Sequence, residues 1–363
     1  MNDFRHLQEL SDYYLSRDIP ENLSDIIQKE LGLNIKANYG DFVLRNCLLV
    51  APGQMTTSFQ QIQMIKKSGF AGCVLKSVIA EDSTGRCSMI KFRRKPTYVK
   101  TVYDSQDIEG IFPIIHWDGG LDIRNLDDYI KFADSAVKLI SDNFLIAASI
   151  LGHLPSMDEN FIEEEWIYTT QKLCNLGYKV FEVDFCPFLK EEDQLMNKKT
   201  ILRWYEYVPL IMKKACKNIQ IFPKIMNLNY GMDFQIKMIE ASIVGGADGV
   251  IIGNRIYRKE YGCAHGGRSL RERNLQQIKI IKDKHPEIHV SGTGGIYTGR
   301  HIMDYIKSGA ENIQVLSYLM GKVKKPFIKK GNRFQQVFYQ LMFDIEDGFL
   351  ACLLKQRRYY ENS

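Results

Sequence analysis

The sequence predicts an α/β protein built as a (β/α)8 TIM barrel, with a helical leader before it and helices after it. Three observations predict this. Short runs rich in Val and Ile occur eight times between residues 47 and 317. Each is almost continuously apolar, the mark of a strand buried on both faces in a parallel sheet. Helix-like stretches of roughly ten to twenty residues separate most of them, which is the rhythm of βαβ units. A doubly wound open sheet is the rival for such a rhythm; a count of eight favours the closed barrel.

The elements follow in order. Residues 1–42 form the leader. Within it Pro20 to Leu33 reads as a helix: Ser24 can cap it, and Ile26, Ile27, Leu31 and Leu33 gather toward one side. The barrel takes residues 43–322, with strands in 47–53, 72–79, 144–152, 179–186, 219–226, 247–254, 288–295 and 312–317. A long insertion, 79–143, follows the second strand. It holds the basic run KFRRKPTYVK, the apolar run GIFPIIHW and a helix after Asp122. Long loops at the carboxyl end of a barrel commonly cover a site. Residues 323–363 form a C-terminal helical extension, with Val337, Phe338, Leu341, Met342 and Ile345 at helical spacing.

The 363 residues carry a net charge of +5, which is mild for this length and suits anionic small ligands rather than nucleic acid. The eight cysteines include no C-x-x-C pair and no four-cysteine cluster for zinc or iron–sulfur. No apolar run approaches the ~20 residues that span a bilayer, and the first residues lack an apolar signal core. The expectation is a reduced, soluble, cytoplasmic protein with no metal.

A crowded turn carries the chemistry. In SGTGGIYTGRHIMDYIKSGAENIQVLSYLM (291–320), Gly292, Gly294 and Gly295 follow the seventh strand directly. Bare main chain lets a ligand approach without a Cβ in the way. A helix starting near Thr298 or Gly299 would turn free N–H groups toward the same space, making an anion cradle that Ser317 helps close. A tight turn alone would need one or two glycines. In barrels, phosphate often sits between the seventh and eighth strands.

This stretch resembles the glycine-rich turn, helix and last strand of the dihydroorotate dehydrogenase family, FMN-binding (β/α)8 barrels. The resemblance runs from about Cys47 to Lys322. It implies FMN as cofactor, with Gly294, Gly295 and Ser317 at its phosphate. VAPG (50–53) is similar to the family's first strand end, placing Ala51 and Gly53 at the flavin. GFAGCVLKSV (69–78) is similar to the second strand, placing Lys76 by flavin and substrate and Ser77 by flavin. FPKIM (222–226) supplies Lys224 for the flavin's pyrimidine edge, GADGVIIGN (246–254) supplies Asn254 for substrate, and GGRS (266–269) sets Gly267 beside the flavin. In EVDFCPF the resemblance makes Cys186 the residue that takes a proton from substrate carbon while hydride passes to flavin N5. Physically, a lysine beside N1 and O2 stabilises the reduced flavin's negative charge. Nearby cations lower a thiol's pKa. Lys76 and Lys224 can instead be ion-paired with a barrel carboxylate such as Asp184 or Glu182.

On the flavin side, Pro52 departs from the family's Ala-Ser-Gly and Leu316-Ser317 from its Gly-Thr; the further departures fall on the substrate side. Phe188 stands where the family has the asparagine of Cys-Pro-Asn, and the family's Asn-x-Met-Gly clamp has no counterpart. In its region stands PIIHWDGG (113–120), and YGCAHGG (261–267) adds Cys263 and His265. A site that loses amide donors does not bind the same planar acid. The expectation is therefore an FMN-dependent oxidoreductase acting on a CH–CH bond beside a carbonyl, with a small-molecule substrate other than orotate. A genuine dihydroorotate dehydrogenase, a non-catalytic flavin-binding protein and a flavin-free lyase using Lys224 stay open. So do the electron acceptor (fumarate, a free nicotinamide or a partner flavoprotein) and the homodimer common in the family.

Overall fold

The computed structural model describes residues 2–93, 98–103, 113–118, 120–185, 197–323 and 331–361. Along the chain, β1 (Ala37–Tyr39) and β2 (Phe42–Leu44) form a hairpin. Then come β3 (Leu48–Val50), β4 (Gly72–Val74) and its continuation β5 (Val78–Ile79). The insertion supplies β6 (Tyr98–Val102) and β7 (Ile114–Asp118). β8 (Leu145–Leu151), β9 (Val180–Val183), β10 (Gln220–Asn227) and β11 (Gly249–Arg258) follow, then β12 (Cys263–Gly267), β13 (His289–Thr293) and β14 (Asn312–Val315).

Eight of these close a parallel barrel in the order β3, β4, β8, β9, β10, β11, β13, β14 and back to β3. They are the eight runs read from the sequence. Every residue of β8 is buried, as are all of β3, β4, β9 and β14. Such strands have no solvent face to make polar, which is why they read as unbroken apolar runs.

The helices are α1 (Asn2–Tyr14), α2 (Leu23–Leu31), α3 (Phe59–Lys67), α4 (Leu126–Val137), α5 (Glu163–Asn175), α6 (Lys198–Ala215), α7 (Met232–Val244), α8 (Arg271–Lys284), α9 (Gly299–Lys307), α10 (Arg333–Phe343) and α11 (Phe349–Glu361). Helices α3 to α10 each follow a barrel strand, and α10 packs against both α3 and α9, so it fills the eighth place in the ring. Ser58 and Gln61 cap α3 reciprocally, as Asn332 and Gln335 cap α10.

Three local expectations change. The cap of α2 is Asn22, and Ser24 lies buried inside the helix. Ile345 falls beyond α10 and is 43% exposed, because the helix ends at Phe343. Cys174 and Cys216 are joined in a disulfide, against the expectation of reduced cysteines. Packing of α5 on α6 brings these two positions near their carboxyl ends together.

The two barrel ends differ. Tyr39 of the hairpin sits at the amino-terminal end, its ring 4.6 Å from Phe222 and 5.8 Å from His289. At the other end β11 overshoots the barrel. Its first half pairs with β10 and β13, and Ile256–Arg258 pair antiparallel with β12. β7 and β6 continue that sheet outward, forming a flap.

Candidate active site

A cleft opens at the carboxyl ends of the strands. Ala51 and Gly53 reach it from the end of β3, Ser77 from β4, Lys224 from β10 and Asn254 from β11. Gly267 reaches it from β12, Gly294 and Gly295 from the turn after β13, and Ser317 from the turn after β14. Lys76 is buried beside the cleft rather than on its wall. Cys186 and Phe188 lie outside the described residues.

The glycines divide their work. Gly292 leaves room for the ring of Tyr305, where an added Cβ would meet Cδ1. Gly294 and Gly295 have φ of +98° and +67°, so a side chain there is strained whatever the space. Their missing Cβ atoms would meet Asn274 and Arg271, at 2.9 and 3.1 Å. Both still line the cleft, so main chain forms that wall. The helix donors expected there are directed elsewhere. Thr298 caps α9, but Arg300 N–H donates to Asp347 O at 3.2 Å, and Gly299 packs on the main chain of Gly348 and Phe349. The amino end of α9 is thus turned to α11, and the anion cradle reduces to the turn itself. At the last strand Leu316 fills the space over Gly53, 2.5 Å from where its Cβ would stand.

Beneath the wall lies a net of buried amides. Asn227 Nδ2 donates to Asn254 O at 2.6 Å and to Asn274 Oδ1 at 3.1 Å. Asn274 Nδ2 donates to Thr293 O at 2.7 Å. The net ties β10, β11, α8 and β13 together at the cleft floor. Sequence reasoning missed Asn227 and Asn274; the only signal was an amide where an apolar residue would suit the periodicity.

Charge is distributed unevenly. Asp184 Oδ2 accepts from Ser77 Oγ at 3.0 Å and Oδ1 from Asn254 Nδ2 at 3.2 Å. Asp122 accepts from Arg124 Nε at 2.8 Å and Nη2 at 2.5 Å. Lys76 Nζ is buried with no hydrogen-bond partner among the described residues. Burial, and after it the Arg255 charge, push its ammonium down to about 8, against the pull of Asp122 and Asp184. The ion pair considered for Lys76 is not formed among the described residues. Lower in the barrel, Glu182 accepts from Tyr39 Oη at 2.6 Å and Gln314 Nε2 at 2.5 Å. Burial pushes its carboxyl up, opposed first by the charge of Lys224.

Of the HWDGG run, Trp117 lines the cleft. The His116 ring lies tilted against Tyr261, with ring centroids 4.9 Å apart. His265 pairs across the flap with His116, and its Nε2 lies 3.0 Å from Ser269 Oγ. Burial pushes His265 down to about 4, helped by the charges of Arg258 and His116. Among the described residues no group of three or more His, Cys, Asp or Glu is placed to hold a metal. Nor is any helix among them long and apolar enough to cross a membrane.

A crystal structure of the dihydroorotate dehydrogenase from Eimeria tenella, solved with ferulenol, superposes with a TM-score of 0.65, covering 97% of this chain and 96% of that one at 13% identity. The fold is dihydroorotate dehydrogenase-like. A curated dihydroorotate dehydrogenase (quinone) of Wigglesworthia glossinidia brevipalpis is 29% identical over 173 residues, 44% of this chain and 47% of that protein. The match thus spans about half the length of that relative. No family model matches the chain. In the dihydroorotate dehydrogenase-like barrel described here, the cleft at the carboxyl strand ends is where ligands of such barrels bind.

Proposed function

We propose that the cleft binds FMN and that the protein is an FMN-dependent oxidoreductase of dihydroorotate dehydrogenase type. It would oxidise a CH–CH bond beside a carbonyl or reduce the matching double bond. One observation carries this: residues chosen from six barrel strands and the GGRS turn for a flavin and its substrate meet in a single cleft, beside a buried lysine with no hydrogen-bond partner among the described residues. The residues present fit the group. Gly294 and Gly295 offer bare main chain to a phosphate, and the Lys76 ammonium lacks an acceptor that a flavin or substrate oxygen would provide.

Bound there, FMN would supply a two-electron hydride acceptor or donor. The chain's own residues do the rest. Lys224 brings positive charge to the cleft wall, set over the Glu182 carboxyl that shares its field. Asp184 fixes Ser77 and Asn254, so that the asparagine presents a set face to substrate. Cys186, two residues beyond Asp184 in the chain, would hold and move the proton at its Sγ. The flap, which lines the cleft through Trp117 and Gly266, would help to keep water from its mouth.

The test is the visible spectrum of the purified protein after incubation with FMN. Bands near ~450 nm that persist through desalting are expected. A colourless protein that is inactivated by borohydride only with a carbonyl compound present would replace this reading with Schiff-base chemistry. If the flavin binds, Cys186→Ala should slow its reduction by substrate by roughly 10²-fold or more. An unchanged rate removes Cys186 from the mechanism.

A further inference from the structure

We propose that His116 and His265 form an acid-triggered latch in the flap, one that opens the cleft as the pH falls. The latch acts on the flap itself and so holds whatever ligand the cleft takes.

The strand register puts the two side by side. His116 of β7 lies opposite His265 of β12 on one side and Lys100 of β6 on the other. Opposite residues of an antiparallel pair share a face, with Cβ atoms about 5 Å apart. Along this row stand Lys100, His116, His265 and Ile256, three basic side chains and no carboxylate. The next residues along, Trp117 and Gly266, line the cleft, and an added Cβ at Gly266 would stand 3.0 Å from Trp117 Cζ3. Side chains alternate along a strand, so the histidines lie on the outer face of the strands that wall the cleft. The flap is anchored just inside this row. Tyr297 Oη donates to Pro113 O at 2.5 Å, and Thr101 Oγ1 donates to Met320 O at 3.3 Å.

The pair suits neutral rings. The imidazoles stack with centroids 6.3 Å apart, and Tyr261 packs against both, 4.9 Å from His116 and 6.1 Å from His265. A charged imidazole carries a proton on both nitrogens. His265 Nε2 has Ser269 Oγ at 3.0 Å, but Nδ1 is buried with no hydrogen-bond partner among the described residues. Among the described side chains, the charges that bear on the pair are Lys100 from β6, Arg258 from β11 and Glu260 from the turn before β12. Cys263 stands two residues before His265 on the same face of β12. Burial first, and then the cations, push His116 down and His265 to about 4. An opened flap returns the rings to water and toward their ordinary 6.5. Protons therefore bind the open form more tightly. The closed flap is favoured above pH 6.5 and loses that advantage as the pH falls toward 4. Two charged rings set opposite each other then repel, and the wall strands part.

The test is hydrogen–deuterium exchange of the full chain at about pH 7 and about pH 5, read by mass spectrometry and corrected for the intrinsic exchange rate at each pH. Protection in β7 and β12 is expected to fall about tenfold or more at the lower pH, with β8 unchanged. His265→Gln keeps a neutral side chain at both values and should remove most of that fall. Lys100→Glu changes an exposed residue and sets a carboxylate opposite His116. It should shift the fall to lower pH, and it tests the latch even where His265→Gln misfolds. Protection in β7 and β12 that does not change with pH, or that is lost equally in β8, would overturn the latch. So would an undiminished fall in either folded variant.

Discussion

Lys76 is an ammonium that the fold holds at a cost. Its folded pKa is depressed from 10.5 to about 8. Between those values the unfolded chain carries a proton that the folded one lacks, so stability rises with pH across that window and the full penalty applies below it. Lys76→Met should therefore stabilise the ligand-free protein at pH 7 by roughly 3 kcal/mol at most. The gain should shrink steadily above pH 8 in urea melts, while turnover is lost. A gain that does not depend on pH would mean that packing, not charge, is responsible. Gly292 makes the opposite case, a residue whose value is what it omits. The Tyr305 hydroxyl lies 2.8 Å from the carbonyl oxygens of Thr293 and Gly294, so the ring that Gly292 admits also pins the turn. Gly292→Ala should cost about 1–3 kcal/mol by overpacking and should also weaken FMN, measured by flavin retained on desalting. Stability lost with flavin retention intact would separate the turn from the cofactor.

At the scale of elements, the hairpin β1–β2 is joined to the cleft by one carboxylate. Tyr39 and Gln314 both donate to Glu182, and Gln314 lines the cleft. Burial raises the Glu182 carboxyl above its ordinary 4.5, so between that value and the folded one the native state holds the extra proton. Stability falls as pH rises through this window. Tyr39→Phe removes one donor from an acceptor already short of partners, since Glu182 Oε2 has none among the described residues. The expected cost is about 1–3 kcal/mol, with the decline carried to higher pH. Identical pH profiles for the two proteins would rule out this coupling. The element scale is also where the sequence read best. The barrel strands announced themselves because burial on both faces leaves no polar alternation. The overshoot of β11 was not legible, because GNRIYR (253–258) has no period to mark where barrel pairing stops and flap pairing starts. The cradle was half legible: positive φ selects glycine whatever the ligand, but the direction of the α9 donors depends on residues 347–349, far away in sequence.

Over the whole molecule, the two chain ends are packed on each other. Arg357 pairs with Asp3 at 2.6 Å and donates to Leu31 O at 2.7 Å, and Phe349, Leu350, Ala351 and Leu354 of α11 are buried. Removing residues 349–361 uncovers that surface and frees the amino end of α9. The truncated chain should show a lower thermal midpoint, by several degrees at least, and faster cleavage within α1 and α2 in limited proteolysis. Unchanged cleavage there would show that the leader stands without α11. The remaining asymmetry of the molecule lies in β11, a single extended segment that begins in the wall and ends in the roof. Asn254 and Arg255 stand where it crosses from one to the other. One strand runs through both, so a guest gripped at its midpoint tugs on the canopy as well. Deuterium uptake in β12 and β7 should then slow as the guest saturates, giving a reporter of occupancy that needs no colour and no turnover.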